Sequence, residues 1–363
     1  MDTTDPEITF NEKGECSHCQ RFDNVYSKHW FPNEIGQQKI AKTVAEMKEN
    51  GKNKDYDCII GLSGGVDSSY LAYQASKLGL RILAVHVDGG WNSELAVKNI
   101  ESIVSKLGLD LHTHVVDWEM MQDMQKAYFR SGIANQDVPQ DHAFFAALYS
   151  YAVKNNICHV LNGNNIATES VLPQAWGYDA MDGKQVRAIH KQFGDKKKIV
   201  HYPVVSFFDY HIYFPLIRKM KVVALLNYMP YNKADAIKTL EQELGWRYYG
   251  GKHYESRFTK FFQSYYLPTR FGYDKRKAHL SSLVLSGQMT RAEAVKEIEQ
   301  PAYDTRYLEE DMEYVVKKLG ISKEEFDRIF HSPLKTYRDY PSNERLVMEK
   351  ASLNQRLRRL LGK

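Results

Sequence analysis

Residues 56–78 read YDCIIGLSGGVDSSYLAYQASKL: an apolar run, two adjacent glycines among serines, then a helical pattern. A strand that must become a helix within a few residues constrains the fold more than any other stretch here. The same alternation continues to about residue 205. RILAVHV (81–87), LHTHVVDW (111–118) and ICHVLNG (157–163) read as strands, separated by the helical SELAVKNIESIVSKLG and by a long helix from Asp141, DHAFFAALYSYAVKNN. Strands spaced by helices of this length predict an α/β architecture, a doubly wound, mainly parallel sheet with helices on both faces.

Beyond about residue 210 the pattern is helical with no clear strand, as in YHIYFPLIRKMKVVALLNYM and RYLEEDMEYVVKKLG. The expected division is an N-terminal module over 1–50, an α/β domain carrying the glycine turn over 51–210 and a helical region over 211–363. A chain of 363 residues suits such a multi-part organisation. Its net charge of +4 permits an anionic substrate but does not by itself call for nucleic acid. The acidic start MDTTDPEITF has no apolar signal core, and no run approaches the ~18 apolar residues of a membrane span, so a cytoplasmic protein is expected. The last 32 residues hold eight Lys/Arg against three Asp/Glu, a basic terminal helix whose simplest reading is a solvated face.

A glycine turn between strand and helix points backbone N–H groups into its mouth, and the helix N-terminus adds about half a positive charge there. Phosphate oxygens are the natural occupant. Gly64 and Gly65 permit close approach, Ser63, Ser68 and Ser69 supply hydroxyls, and Asp67 offers a carboxylate to Mg2+. There is no G-x-x-x-x-G-K-[ST] and no G-x-G-x-x-G, which disfavours a Walker-type NTPase and a nicotinamide dehydrogenase.

SGGVDS (63–68) resembles the S-G-G-x-D-S signature of the PP-loop ATP pyrophosphatases. The resemblance implies a five-stranded parallel sheet and cleavage of ATP to AMP and pyrophosphate. The stretch from Leu62 through Val66 to Ser69 would hold the nucleotide's phosphates. VHVDGGW (85–91) matches the place of adenine and ribose contacts, making Val87 and Asp88 candidates. LNGNNIATES (161–170) resembles a segment of amide-forming members. There Gly163 would admit the nucleotide, and Asn164, Asn165 and Glu169 would bind substrate or Mg2+.

Residues 246–277 carry eight Lys/Arg against Glu255 and Asp274, with eleven aromatics, a composition suited to a nucleotide-sugar or RNA site. The block GGKHYESRFTKFFQSYYLPTRFGYDKRKAHLSSLVLSGQMTRAEA (250–294) resembles the N-acetyl sugar amidotransferases of surface-polysaccharide synthesis. DPEITFNEKGECSHC (5–19), the PP-loop and LNGNNIATE match the same family in order. This resemblance implies conversion of a sugar acetamido group to an acetamidino group through an O-adenylyl imidate. Ammonia would come from a separate glutaminase, with a cyclase-like channel subunit as a further partner. The chemistry needs cations on the α-phosphate, and Lys252, Arg257, Lys275 and Arg276 are candidates; Glu255 and His253 could handle protons or magnesium.

Cys16 and Cys19 form a C-x-x-C, half of a structural zinc site. In the resembling family a second pair commonly precedes it. Three readings follow: the start is truncated and lacks the other pair, His18 and His29 complete a site, or the thiols bind no metal. Cys58 and Cys158 lie in apolar runs as ordinary buried thiols, and a disulfide framework is not expected. Two other readings stand beside the amidotransferase: a tRNA-thiolating PP-loop enzyme using the C-x-x-C and basic segments, and a non-catalytic ATP-binding scaffold. The intact loop argues against the scaffold.

Overall fold

A computed structural model describes residues 1–251 and 254–360. Its centre is a five-stranded sheet of β1 (Cys58–Gly61), β2 (Ile82–Asp88), β3 (Asp110–Val115), β4 (His159–Leu161) and β5 (Lys221–Val223), in the order β3-β2-β1-β4-β5. Every pairing is parallel; Ile60 stands opposite both Ala84 of β2 and Leu161 of β4. The order reverses direction between β1 and β4. In an open parallel sheet that switch point leaves a crevice beyond the strands' carboxyl ends.

Period-two alternation assigns each strand residue to a face. Cys58, Ile60, Ile82 and Ala84 pack with Leu71, Ile100 and Leu240 on one side. Ile59, Leu83 and Val85 pack with Ala146, Leu148 and Tyr149 on the other. Each large apolar side chain so buried contributes roughly 1.5–3 kcal/mol before entropy is counted. The first face is covered by helices Val66–Lys77, Glu94–Leu107 and Lys233–Leu244, and the second by Val138–Lys154.

The four strands read from the sequence are present; the first and fourth are trimmed at both ends, whereas the second and third are each extended by one residue at one end and shortened at the other. The long helix begins at Val138, three residues before Asp141, because Pro139 suits a first turn that needs no amide donor. The fifth strand lies where only helix was expected. Lys221–Val223 is a strand because it pairs with β4 and the Lys221 amide donates to the Cys158 carbonyl at 2.7 Å. The sheet therefore crosses residue 210. Helix Lys233–Leu244, also beyond that point, closes the core around the loop helix.

The aromatics of 246–277 are mainly core. Trp246, Phe258, Phe261, Phe262 and Tyr266 are buried; the last four join Trp91, Phe129 and Phe326 in a third cluster that seats the C-terminal helices. Among the described residues no helix is long and apolar enough to cross a membrane.

Candidate active site

The loop's shape follows from its glycines. Gly64 has φ of +81°, and a β-carbon there would lie 2.7 Å from the Ala96 carbonyl oxygen. Glycine is thus required twice, by conformation and by space. Gly65 is the N-cap of helix Val66–Lys77 and supplies no side-chain cap, so the helix start at the crevice carries no capping side chain of its own. Serine hydroxyls knit the turn together. Gly65 N donates to Ser63 Oγ (3.2 Å), Ser63 N to Ser68 Oγ (3.3 Å), and Ser68 Oγ to the Gly65 carbonyl (3.2 Å). From outside, Trp246 Nε1 donates to the Gly64 carbonyl at 2.9 Å, and the Val66 amide donates to the Tyr249 hydroxyl at 3.1 Å.

A cleft of about 630 Å³ opens at this switch point. That volume suits a nucleotide-sized ligand. Ser63, Gly65, Val66, Asp67 and Ser68 line it, as do Val87, Gly163, Asn164, Asn165 and Glu169. The fold thus brings the loop and the β4 segment together. Gly163 is tightly placed: a β-carbon there would sit 3.2 Å from Ser68 N. Asn165 caps the short helix Ile166–Glu169, its Oδ1 accepting from Thr168 N at 2.9 Å, which leaves its amide to donate to Asp67 Oδ1 at 3.2 Å. The Tyr231 hydroxyl donates to the same oxygen. Burial, then the Asp67 charge, pushes the Tyr231 phenol far above its ordinary value, so it remains a donor.

Other expected contacts are relocated. Leu62 and Ser69 are buried beneath the loop, and Gly64 packs against Ala96, so none of the three lines the cleft. Asp88 Oδ1 instead accepts from Gly90 N (2.8 Å) and Asn92 Nδ2 (3.3 Å), closing the turn after β2. His86 secures that turn from below. Its Nδ1 meets the Leu62 carbonyl at 3.0 Å and must donate, so Nε2 accepts from Asn92 Nδ2 at 3.1 Å.

The cations separate by partner. Lys275 and Glu255 line the cleft. Arg257 does not: it binds Asp311 (2.6 Å) and Glu310 (2.8 Å) and lies over the Tyr314 ring. Arg276 pairs with Asp274 at 2.7 Å and donates to the Gln300 carbonyl at 2.8 Å, fastening two helices. Both are structural because acidic or carbonyl partners satisfy them away from the crevice. Lys252 and His253 fall outside the described residues.

Sequence reasoning missed Lys233, His279, Thr259 and Gln263, which also line the cleft. His279 had a signal, since it stands four residues after Lys275 on one helix and shares its face. Tyr231 and Tyr249 had none; they lie 164 and 183 residues from the loop atoms they meet.

The donor set at the loop, Asp67 and Glu169 with amide oxygens of asparagine, is made of hard oxygens and fits Mg2+, which commonly takes one or two carboxylates plus phosphate. The zinc expectation is not supported. Cys16 Sγ and Cys19 Sγ lie 3.4 Å apart, but His18 Nε2 is held by Asp5 at 2.7 Å. Among the described residues no group of three His, Cys, Asp or Glu could hold a metal. Burial and the Cys16 sulfur push the Cys19 thiol up to about 11, away from thiolate. Cys58 is fully buried as expected, whereas Cys158 is only partly so.

A glycine-serine loop at the switch point of a parallel sheet, without a Walker lysine, is the arrangement expected of the PP-loop ATP pyrophosphatases. Residues 57–175 match the family described as queuosine biosynthesis protein QueC, a member of that class. Residues 255–354 match the C-terminal domain of the WbpG-like lipopolysaccharide biosynthesis proteins. The chain thus joins a PP-loop segment to a WbpG-like C-terminal segment, a combination that indicates an ATP-dependent enzyme with ligase- or amidotransferase-like chemistry. No curated protein matches it. Similar solved structures include NMN synthetase from Francisella tularensis, 14% identical over 71% of this chain and 95% of that one, TM-score 0.35. They also include the NH3-dependent NAD synthetase from Campylobacter jejuni, 17% identical over 72% and 96%, TM-score 0.32. A third is NAD+ synthetase from Burkholderia pseudomallei, 18% identical over 62% and 94%, TM-score 0.31.

Proposed function

We propose that the chain converts the N-acetyl group of a sugar, carried on a nucleotide, into an acetamidino group at the expense of ATP. The observation that carries this reading is the composition of the cleft. One wall is the PP-loop within the QueC-like segment, and the facing wall, Glu255, Thr259, Gln263, Lys275 and His279, comes from the WbpG-like segment. A site shared in this way suits a reaction joining ATP to a polysaccharide precursor.

The acetamido oxygen attacks the α-phosphorus, forming a P–O bond as pyrophosphate leaves. Ammonia then adds to the imidate carbon and loses a proton, and AMP departs with the C–O bond. Loop amides and hydroxyls hold the departing pyrophosphate, and Lys275 supplies positive charge from the acceptor side. In this reading Glu255 and His279, which line the cleft, take the ammonium proton. Mg2+, held by Asp67 and Glu169, would neutralise charge on the phosphates. The enclosing wall orients the amide and excludes water that would hydrolyse the imidate. A separate glutaminase with a cyclase-like channel subunit belongs to the same proposal as ammonia source.

The test supplies ATP, magnesium and ammonium with a panel of N-acetylated nucleotide sugars, and measures AMP and pyrophosphate. One sugar should stimulate both in equal amounts. Stimulation by tRNA and by none of the sugars would replace this reading with RNA modification.

A further inference from the structure

Asp67 is the loop's carboxylate, and two donors from distant segments converge on one of its oxygens. Asn165 Nδ2 reaches Oδ1 from the β4 segment, and the Tyr231 hydroxyl reaches it from the turn before helix Lys233–Leu244. Two bonds to a single oxygen fix the carboxylate's rotation, which one bond would leave loose.

Tyr231 is itself held on three sides. Its ring is buried in the core around the loop helix and lies 5.5 Å from the Tyr70 ring, at 52°. Pro230 before it restricts the approach of the chain, and Asn232 after it caps the helix, accepting from Ala234 N at 2.9 Å. Gln288, in the WbpG-like segment, then spans the turn. Its Nε2 donates to the Tyr231 carbonyl at 3.1 Å, and its Oε1 accepts from Lys233 N at 3.2 Å. Gln288 is tied onward through Ser286 Oγ, which donates to the Ala167 carbonyl in the β4 segment at 2.8 Å. A continuous set of hydrogen bonds thus runs from the C-terminal domain through Tyr231 to the loop carboxylate.

We propose that Tyr231 is a positioning residue for the ATP half-reaction: its hydroxyl, braced by Gln288, holds Asp67 in the orientation that receives magnesium-bound polyphosphate. The proposal rests on the ATP-pyrophosphatase reading of the loop and is independent of the acceptor. Removing the hydroxyl leaves the ring and its packing intact, so the effect falls on the carboxylate. Loss of an orienting hydrogen bond to a metal-binding carboxylate typically costs about 10–100-fold in affinity or activity.

The experiment titrates MgATP calorimetrically into the full chain, with no sugar present, for wild type, Tyr231→Phe, Asp67→Asn and the double variant, alongside thermal melts. Tyr231→Phe is expected to weaken binding about tenfold, most strongly at low magnesium, with little change in melting temperature. In the Asp67→Asn background the same substitution should change affinity less than about twofold, because the two residues act as a unit. Gln288→Ala should give a smaller loss of the same magnesium-dependent kind. Wild-type affinity in Tyr231→Phe, or an equal loss in both backgrounds, overturns the proposal while leaving the loop reading intact. A wild-type chain that binds no MgATP overturns both. The outcome of the sugar panel affects neither result.

Discussion

A β-carbon on residue 163 would stand 3.2 Å from the backbone nitrogen of Ser68, so Gly163 and Ser68 press two loops together across the switch point. The contact joins the end of β4 to the first turn of the loop helix. Neither backbone can retreat without moving a strand or a helix start. Gly163→Ala should displace the loop by a few tenths of an ångström, at an overpacking cost on the order of 1 kcal/mol. The expected result is ATP binding weakened about tenfold with a nearly unchanged melting temperature, measured by calorimetry and thermal melts.

On the proposed mechanism Asp67 has a catalytic duty beside its structural one, and two substitutions separate them. Asp67→Ala leaves the buried Tyr231 hydroxyl without this acceptor, costing about 1–2 kcal/mol of stability. Asp67→Asn keeps an acceptor oxygen and should melt close to wild type. Both variants should lose pyrophosphate release by about a hundredfold or more, read from phosphate-coupled assays. Retained turnover in either would remove Asp67 from the reaction.

Arg257 and Lys275 were equal candidates by charge and should now diverge. Asp311 is 3% exposed, and Arg257 is one of its partners beside Lys260 and Tyr303. Arg257→Ala should cost about 2 kcal/mol in urea unfolding while folded enzyme keeps its turnover. Lys275→Ala should do the reverse, cutting turnover at least tenfold with unfolding unchanged.

His142 gives the fold a pH dependence of predictable sign. Its ring is buried, Nδ1 meets the Ala180 carbonyl at 2.7 Å, and Nε2 accepts from the Val205 amide at 3.0 Å, an arrangement that requires the neutral form. Burial holds the imidazole below its ordinary value, with the Ala180 bond opposing in part. A depressed folded value means the unfolded chain takes the proton first. Stability is therefore full above about pH 6.5 and falls as pH drops toward and through the folded value. Melting temperature measured from pH 8 to 5 should decline in that window, and His142→Gln should flatten part of the decline.

The loop, its strand and its helix are legible in the chain because S-G-G-x-D-S, an apolar run and a helical period are all local. β5 was not legible. KVV sits in a segment with helical patterning, and only the exposed edge of β4 makes it a strand. The active-site cations were half legible for a similar reason: composition counts charges, but Arg257 finds Asp311 54 residues further on. Aromatic density misled in the same way, since stacking surfaces and core packing draw on the same residues.

What the sequence determined alone is the loop and its place between strand and helix: glycines that permit one backbone shape, a helix start that offers amides, and no Walker lysine. The tertiary structure decided what faces that loop. It spent two arginines on the frame, brought Lys275 and His279 to the cleft, and set Tyr231 upon Asp67. The Arg257–Asp311 and Tyr231–Asp67 pairings are long-range, chosen by packing and ion-pair geometry, and no local pattern in the chain encodes them.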